Sequence, residues 1–262
     1  MSKMDLIQVA RENFKIAKDN YYVTSKGSIV ELREVIEDMI NNTEIIENID
    51  LKKDEELKIE GNKQSNYVVS DNIINIGTID CILKFREEGI TGNIIALNFA
   101  SAINPGGGYL SGSRAQEESL CRASMLYESL IKQKSFYKYN RENYTPLYND
   151  RMIYVPNVPV IRNDKLQLLE SLELASFIVS PAVNKRKAYV EGIRDDELIN
   201  KTMDVRIEKI LTLAVSKKPS VIILGAYGCG VFGNDREVIY SLFERHIRRI
   251  VPEGIRVAFA VI

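Results

Sequence analysis

Residues 94–118 read IIALNFASAINPGGGYLSGSRAQEE. The run 94–97 is apolar throughout and strand-sized, the pattern of a strand covered on both faces. A loop with three consecutive glycines follows, and a helix is expected over about 115–132. This strand–loop–helix unit recurs along the chain. Upstream, 67–69 reads as a strand, and 73–88 as a helix stopped at Gly89. Downstream, 152–155 and 177–179 read as strands, and Asp195 is placed to cap a helix that reaches 218 and ends at Pro219. Residues 221–224 form a strand pattern, 235–249 a helix, and 257–262 a last strand. Strands alternating with helices predict an α/β fold with a mostly parallel central sheet.

The first 60 residues have a different texture. Leu6, Ile7, Ala10, Phe14 and Ala17 follow helical spacing, as do Leu32, Val35, Ile36, Met39 and Ile40. Between them, 21–23 and 29–30 flank Thr-Ser-Lys-Gly and predict a hairpin. The charged stretch 52–64 reads as a linker or solvated helix. The expected organisation is an N-terminal accessory segment, 1–65, and a second domain, 66–262.

Composition narrows the chemistry. In 262 residues, 35 Lys+Arg balance 36 Asp+Glu for a net charge of −1, which argues against a broad nucleic-acid-binding or membrane-binding surface. No apolar run is long enough to span a bilayer. There is one histidine, His246, on an amphipathic helix near the C-terminus, where it reads as a surface or packing residue. With one histidine and three scattered cysteines, neither a His/Cys metal site nor a disulfide framework is expected. A reducing, cytoplasmic setting fits, and acid–base chemistry would fall to carboxylates.

Two loops at strand ends are candidates for a ligand site, since open α/β sheets bind ligands outside the carboxyl ends of their strands. In the first, Gly106, Gly107 and Gly108 remove every Cβ from one stretch, at an entropic cost that close approach to a ligand would justify. Glu117 and Glu118 follow in the first turn of a helix. Adjacent helical side chains diverge by about 100°, so at most one is expected to point directly at a given atom. The second loop, 225–235, reads GAYGCGVFGND, with glycines at 225, 228, 230 and 233. Free backbone N–H groups ahead of a helix make it an anion cradle. Gly228, Gly230 and Gly233 match a GxGxxG fingerprint, but only 29 residues follow Gly233, too few for the rest of a dinucleotide-binding unit. No Lys-Ser/Thr follows the glycines, so a P-loop fails as well.

The stretch from Asn98 to Glu118, with Gly-Gly-Gly and Gln116-Glu117-Glu118 in that order and spacing, resembles the signature of the microbial type of poly(ADP-ribose) glycohydrolase. The stretches 150–154, 179–184 and 225–235 are similar to that family too, so the resemblance covers about 66–262. It implies a macrodomain-like fold that binds ADP-ribose across the strand ends. It further implies hydrolysis of ribose–ribose O-glycosidic bonds in poly(ADP-ribose), with free ADP-ribose as product and no cofactor or metal. Carried over by residue, Glu118 is the general acid, and Glu117 holds the ribose hydroxyls of the unit released. Asn104 and the backbone of Gly106, Gly107 and Gly108 line that ribose, next to Gln116. Gly225, Tyr227, Gly228, Cys229, Gly230, Val231 and Phe232 wrap the diphosphate, with Phe232 also against sugar or base. A helix N-terminus favours an ionised carboxylate, whereas a general acid must hold its proton. The expected partners are poly(ADP-ribose) or ADP-ribosylated macromolecules, without sequence recognition of nucleic acid. The alternatives are a hydrolase of single ADP-ribosyl groups, and an ADP-ribose-binding module that does not cleave.

Overall fold

The computed structural model describes residues 1–49, 51 and 62–262. Helix α1 (Lys3–Asp19) opens on a reciprocal cap, in which the Ser2 hydroxyl accepts the Asp5 N–H and the Asp5 carboxylate accepts the Ser2 N–H. Strands β1 (Tyr21–Val23) and β2 (Ile29–Glu31) pair as the expected hairpin, and α2 (Arg33–Asn41) follows. The short strand β3 (Glu44–Ile46) then leaves the N-terminal segment for the edge of the main sheet. The linker or solvated helix expected over 52–64 lies outside the described residues up to 61. Beyond it, the Gln64 amide is bound to the carbonyls of Pro252 and Ile255.

The remaining elements are β4 (Ile73–Ile74), α3 (Thr78–Glu87), β5 (Ile94–Phe99), α4 (Gln116–Ala123), α5 (Leu126–Leu130) and α6 (Lys134–Glu142), then β6 (Met152–Arg162) and β7 (Leu168–Ser180). The chain closes with α7 (Lys185–Val190), α8 (Asp196–Ser216), β8 (Val221–Leu224), α9 (Arg236–Ile250) and β9 (Arg256–Ala260). Among the described residues the main sheet has seven strands in the order β3-β6-β7-β5-β8-β9-β4. The pairs from β7 to β4 are parallel, and β6 runs antiparallel to both β3 and β7. This is the mixed, mostly parallel α/β sheet expected from the sequence.

The pleat divides each central strand between two cores. Ile94, Ala96, Val221, Ile223, Phe177 and Val179 enter one buried cluster with residues of α2, α3 and α4. Ile95, Leu97, Ile222, Leu224 and Ile178 enter the other, with α8 and α9. Helices therefore cover both faces, and the apolar runs need no polar alternation. No described helix is long and apolar enough to cross a membrane.

Three expected elements differ in the structure. The strand at 67–69 is replaced by irregular chain and a 3-10 turn, Val69–Asn72, although Tyr67 and Val69 are buried. The helix at 73–88 begins only at Thr78, because Ile73 and Ile74 pair with Phe259 and Ala260 of β9. The helix at 115–132 is broken at Ser124, whose extended backbone bridges to Val160 while the Met125 N–H donates to the Pro159 carbonyl. Asp195 does cap α8, accepting from the Leu198 N–H. His246 is a packing residue at 4% exposure: its Nε2 lies 2.5 Å from Asp204 Oδ1, joining α9 to α8.

Candidate active site

Loop one (100–115) leaves the carboxyl end of β5, and loop two (225–235) leaves that of β8. The two strands are paired neighbours, with Ile95 opposite Ile222, so loops 125 positions apart in the sequence meet at one sheet edge.

Gln116 ties α4 to β5. Its Oε1 accepts the Phe99 N–H at 2.9 Å, and its Nε2 donates to the Leu97 carbonyl at 2.8 Å and to Thr78 Oγ1 at 3.2 Å. The side chain serves the end of the strand as one more strand would. Glu117, 3% exposed, accepts the Ser101 N–H at 2.7 Å and the Asn98 amide at 3.3 Å. Glu118, 7% exposed, accepts the Gly108 N–H on Oε1 at 2.8 Å. Its other oxygen, Oε2, is buried with no hydrogen-bond partner.

The expected divergence of the two carboxylates is offset by the fold of loop one over the start of α4. A Cβ at Gly107 would stand 2.5 Å from Glu118 Oε1 and 3.0 Å from Glu117 Oε2. Gly107 has φ +57°, a backbone conformation that disfavours side chains as well. Gly106 fits under Tyr127 and Cys121, and Asn104 is exposed at the rim of the loop. Burial pushes the Glu117 carboxyl up to about 8, against the Ser101 and Asn98 hydrogen bonds and with the help of the Glu118 charge. Burial thus favours the protonated form of the Glu117 carboxyl.

A cleft of about 740 Å³ runs between the first turn of α4 and loop two. Gly228, Cys229, Gly230, Val231 and Phe232 form one wall, Ala115 and Gln116 the other. The carboxylate pair adjoins this cleft through Gln116 without lining it, since both acids turn toward the Gly-Gly-Gly loop. Gly228, with φ +73°, lies where a Cβ would meet Ala182 and Asn234, and Gly230 faces open space. Gly225 packs its Cα edge on the Ala260 carbonyl and the Phe99 ring. Tyr227 is placed differently from its neighbours. Its side chain is fully buried, its hydroxyl is 3.0 Å from Ser180 Oγ, and its N–H donates to the Gly225 carbonyl. It supports loop two from beneath and does not face the cleft.

The stretches 150–154 and 179–184 meet beneath this wall through a residue that the sequence did not single out. Arg206 of α8 is entirely buried, with Nε 3.0 Å from Asp150 Oδ1, and it donates to the carbonyls of Pro181 and Leu147. Burial opposes ionisation of Asp150, yet Arg206 and Lys209 hold it below the usual carboxylate range. Thr78, Phe99 and Asp164 also border the cleft. Asp164 sits at the tip of the β6–β7 hairpin, where its carboxylate accepts the N–H of Asp80 in the first turn of α3 and its own N–H donates to the Asp80 carboxylate. No local pattern marks Asp164, because only the long hairpin brings it here.

A family model described as the catalytic domain of microbial-type PARG matches residues 10–163. Among solved structures, the poly(ADP-ribose) glycohydrolase of Thermomonospora curvata is 30% identical, with a TM-score of 0.86 over 98% of this chain and 93% of that one. The same enzyme bound to the inhibitor ADP-HPD matches with a TM-score of 0.84. The poly(ADP-ribose) glycohydrolase of Deinococcus radiodurans in complex with ADP-ribose is 30% identical, with a TM-score of 0.74 over 87% of this chain and 90% of that one. No curated protein matches. The macrodomain-like architecture expected from the sequence agrees with these structures.

Proposed function

The chain belongs to the microbial-type poly(ADP-ribose) glycohydrolase family, and from that premise we propose how its own residues carry out the hydrolysis of ribose–ribose O-glycosidic bonds that releases ADP-ribose. The ADP-ribose unit lies in the cleft, its diphosphate against the backbone of Gly225, Gly228, Cys229, Gly230 and Val231. Phe232 packs on sugar or base, and Tyr227 acts through the backbone it supports. The ribose to be released lies over Gly106, Gly107 and Gly108, beside Asn104. Residues 1–65 act as an accessory segment to 66–262, and the reaction belongs to the cytoplasm, where three unpaired cysteines are at home.

Cleavage of a glycosidic bond requires a proton on the departing oxygen while positive charge develops on the sugar. Glu118 supplies that proton from Oε2. The observation that carries this assignment is the pairing of its two oxygens: one is fixed by Gly108, the other is buried and left without a partner. Buried polar atoms are otherwise almost always satisfied, so this oxygen is kept for the ligand. Glu117, held by Ser101 and Asn98, accepts ribose hydroxyls. Those donors favour its ionised form, against the burial that raises its carboxyl. Water adds to the anomeric carbon as the bond to the leaving ribose oxygen breaks, and the proton it sheds passes to the Glu118 carboxylate, which restores the acid. The diphosphate stabilises the positive sugar from the other side. A polyanion held unit by unit through N–H groups needs no broad basic surface, in keeping with a net charge of −1.

The test compares wild type with Glu118→Gln on poly(ADP-ribose), measuring released ADP-ribose. Turnover should fall by at least about 100-fold, the usual share of acid–base catalysis, while calorimetric ADP-ribose affinity is retained. Near-wild-type turnover would eliminate Glu118 as the acid.

A further inference from the structure

The segment between α6 and β6 is rich in tyrosine and asparagine, and the reaction described above uses none of it. It bridges the two ligand loops. Just ahead of it, Arg141 in the last turn of α6 donates to the Ile103 carbonyl of loop one at 2.7 Å. Within it, the Tyr148 ring lies 6.2 Å from the ring of Phe232 in loop two. Tyr144 continues the line, its centroid 6.2 Å from that of Tyr148. The Lys187 ammonium stands 4.6 Å above the Tyr144 ring, and Glu191 accepts from the Tyr144 hydroxyl at 3.2 Å. The row thus runs from a half-buried ring at the cleft wall to an exposed one, with a cation at its outer end.

Two features mark the row as more than surface packing. Tyr148 has φ +54°, a left-handed conformation that a bulky residue rarely adopts and that surrounding contacts must hold. Here the turn is fixed by the Tyr148 N–H to the Thr145 carbonyl, and by the Asn184 N–H to the Pro146 carbonyl. Second, Tyr144 keeps 37% of its surface exposed, and the half-exposed Lys187 ammonium beside it lies 3.8 Å from the Glu191 carboxylate.

We propose that Tyr148 and Tyr144, with Lys187, form a second subsite, continuous with Phe232, that stacks the adenine of the ADP-ribose unit adjoining the one hydrolysed. This rests on the glycohydrolase reading. The bond cut lies at Glu118, so the departing chain must leave across the rim between loops one and two, which is the rim this segment closes. Each unit of the polymer carries one adenine and one diphosphate, matching aromatic faces followed by an ammonium group. The subsite favours polymer over a single ADP-ribosyl group, which has no second adenine to place there.

The test uses the full chain carrying Glu118→Gln, so that polymer survives the measurement, with and without Tyr144→Ala. Affinities are measured for ADP-ribose and for a size-fractionated poly(ADP-ribose) oligomer. Tyr144→Ala should weaken the oligomer by about fivefold or more, the low end of base–aromatic stacking, and leave ADP-ribose unchanged. Tyr144→Phe should restore oligomer affinity. Unchanged oligomer affinity in Tyr144→Ala overturns the proposal, and so does an equal loss for both ligands, which would make the row a mere support of loop two. A wild-type protein that releases no ADP-ribose from polymer would instead refute the hydrolase reading, and the affinity comparison would still decide the subsite.

Discussion

Replacing Glu117 by Gln should stabilise the protein at alkaline pH, by an amount that depends on pH in a defined way. In the folded chain burial pushes this carboxyl up to about 8 from an ordinary 4.5. Between those values the folded protein holds a proton that the unfolded chain has released, so folded stability falls as pH rises. The slope reaches at most about 1.4 kcal/mol per pH unit, and the whole window amounts to roughly 5 kcal/mol. That is a ceiling, since water entering the site on ionisation relieves part of it. Glutamine carries none of this cost. Its carbonyl can take the Ser101 N–H, and its amide can donate to Asn98 Oδ1, which is buried without a partner in the wild type. Urea unfolding at pH 5, 6.5 and 8 gives the difference between variant and wild type directly, and contributions common to both, such as that of Asp164, cancel. The two proteins should be nearly equal at pH 5, with the variant ahead by about 2–5 kcal/mol at pH 8. A difference that stays constant with pH, or that turns in favour of wild type as pH rises, would refute the burial argument. A difference that grows as expected marks a site that gives up stability to keep a proton in its interior.

Gly107→Val should abolish ADP-ribose binding, by at least about tenfold in calorimetry, because the position is both at positive φ and within 2.5 Å of Glu118 for any Cβ; retained affinity would show that no ligand comes close to this backbone. Tyr227→Phe should cost about 1–2 kcal/mol in urea unfolding, by orphaning the buried Ser180 hydroxyl, and leave ADP-ribose affinity unaltered. A tenfold loss of affinity without loss of stability would place the Tyr227 hydroxyl in contact with ligand.

Elements held by local pattern were legible in the sequence. The runs at 94–97 and 221–224 are strands because both faces are buried, and Asp195 caps its helix because the cap is a local hydrogen bond. Elements decided by distant partners were not. Ile73 and Ile74 suit a helix as well as a strand, and only β9, almost 190 positions later, settles the matter. The break at Ser124 depends on Val160 in the same way. At the site, the spacing of the glycines and the acid pair was readable, while the role of Gln116 was not, because its partners are the backbone of a neighbouring strand and the Thr78 hydroxyl of α3. The orientation of Tyr227 was not legible either: a loop residue beside a glycine can turn its side chain inward, and this one does.

The strand order has a consequence for how the chain can be made. Strand β8 lies between β5 and β9, and β9 between β8 and β4, so residues 221–260 fill a slot between strands synthesised much earlier. Until residues 221–260 have emerged, one side of β5 offers its unpaired N–H and C=O groups along an almost wholly apolar strand, the kind of edge on which unfinished chains associate. The glycine loop and the acid pair would be present on such a nascent chain, but the wall that holds the diphosphate would not. Assembly of the site thus waits for residues 221–260, and ligand can protect only a chain on which they have folded.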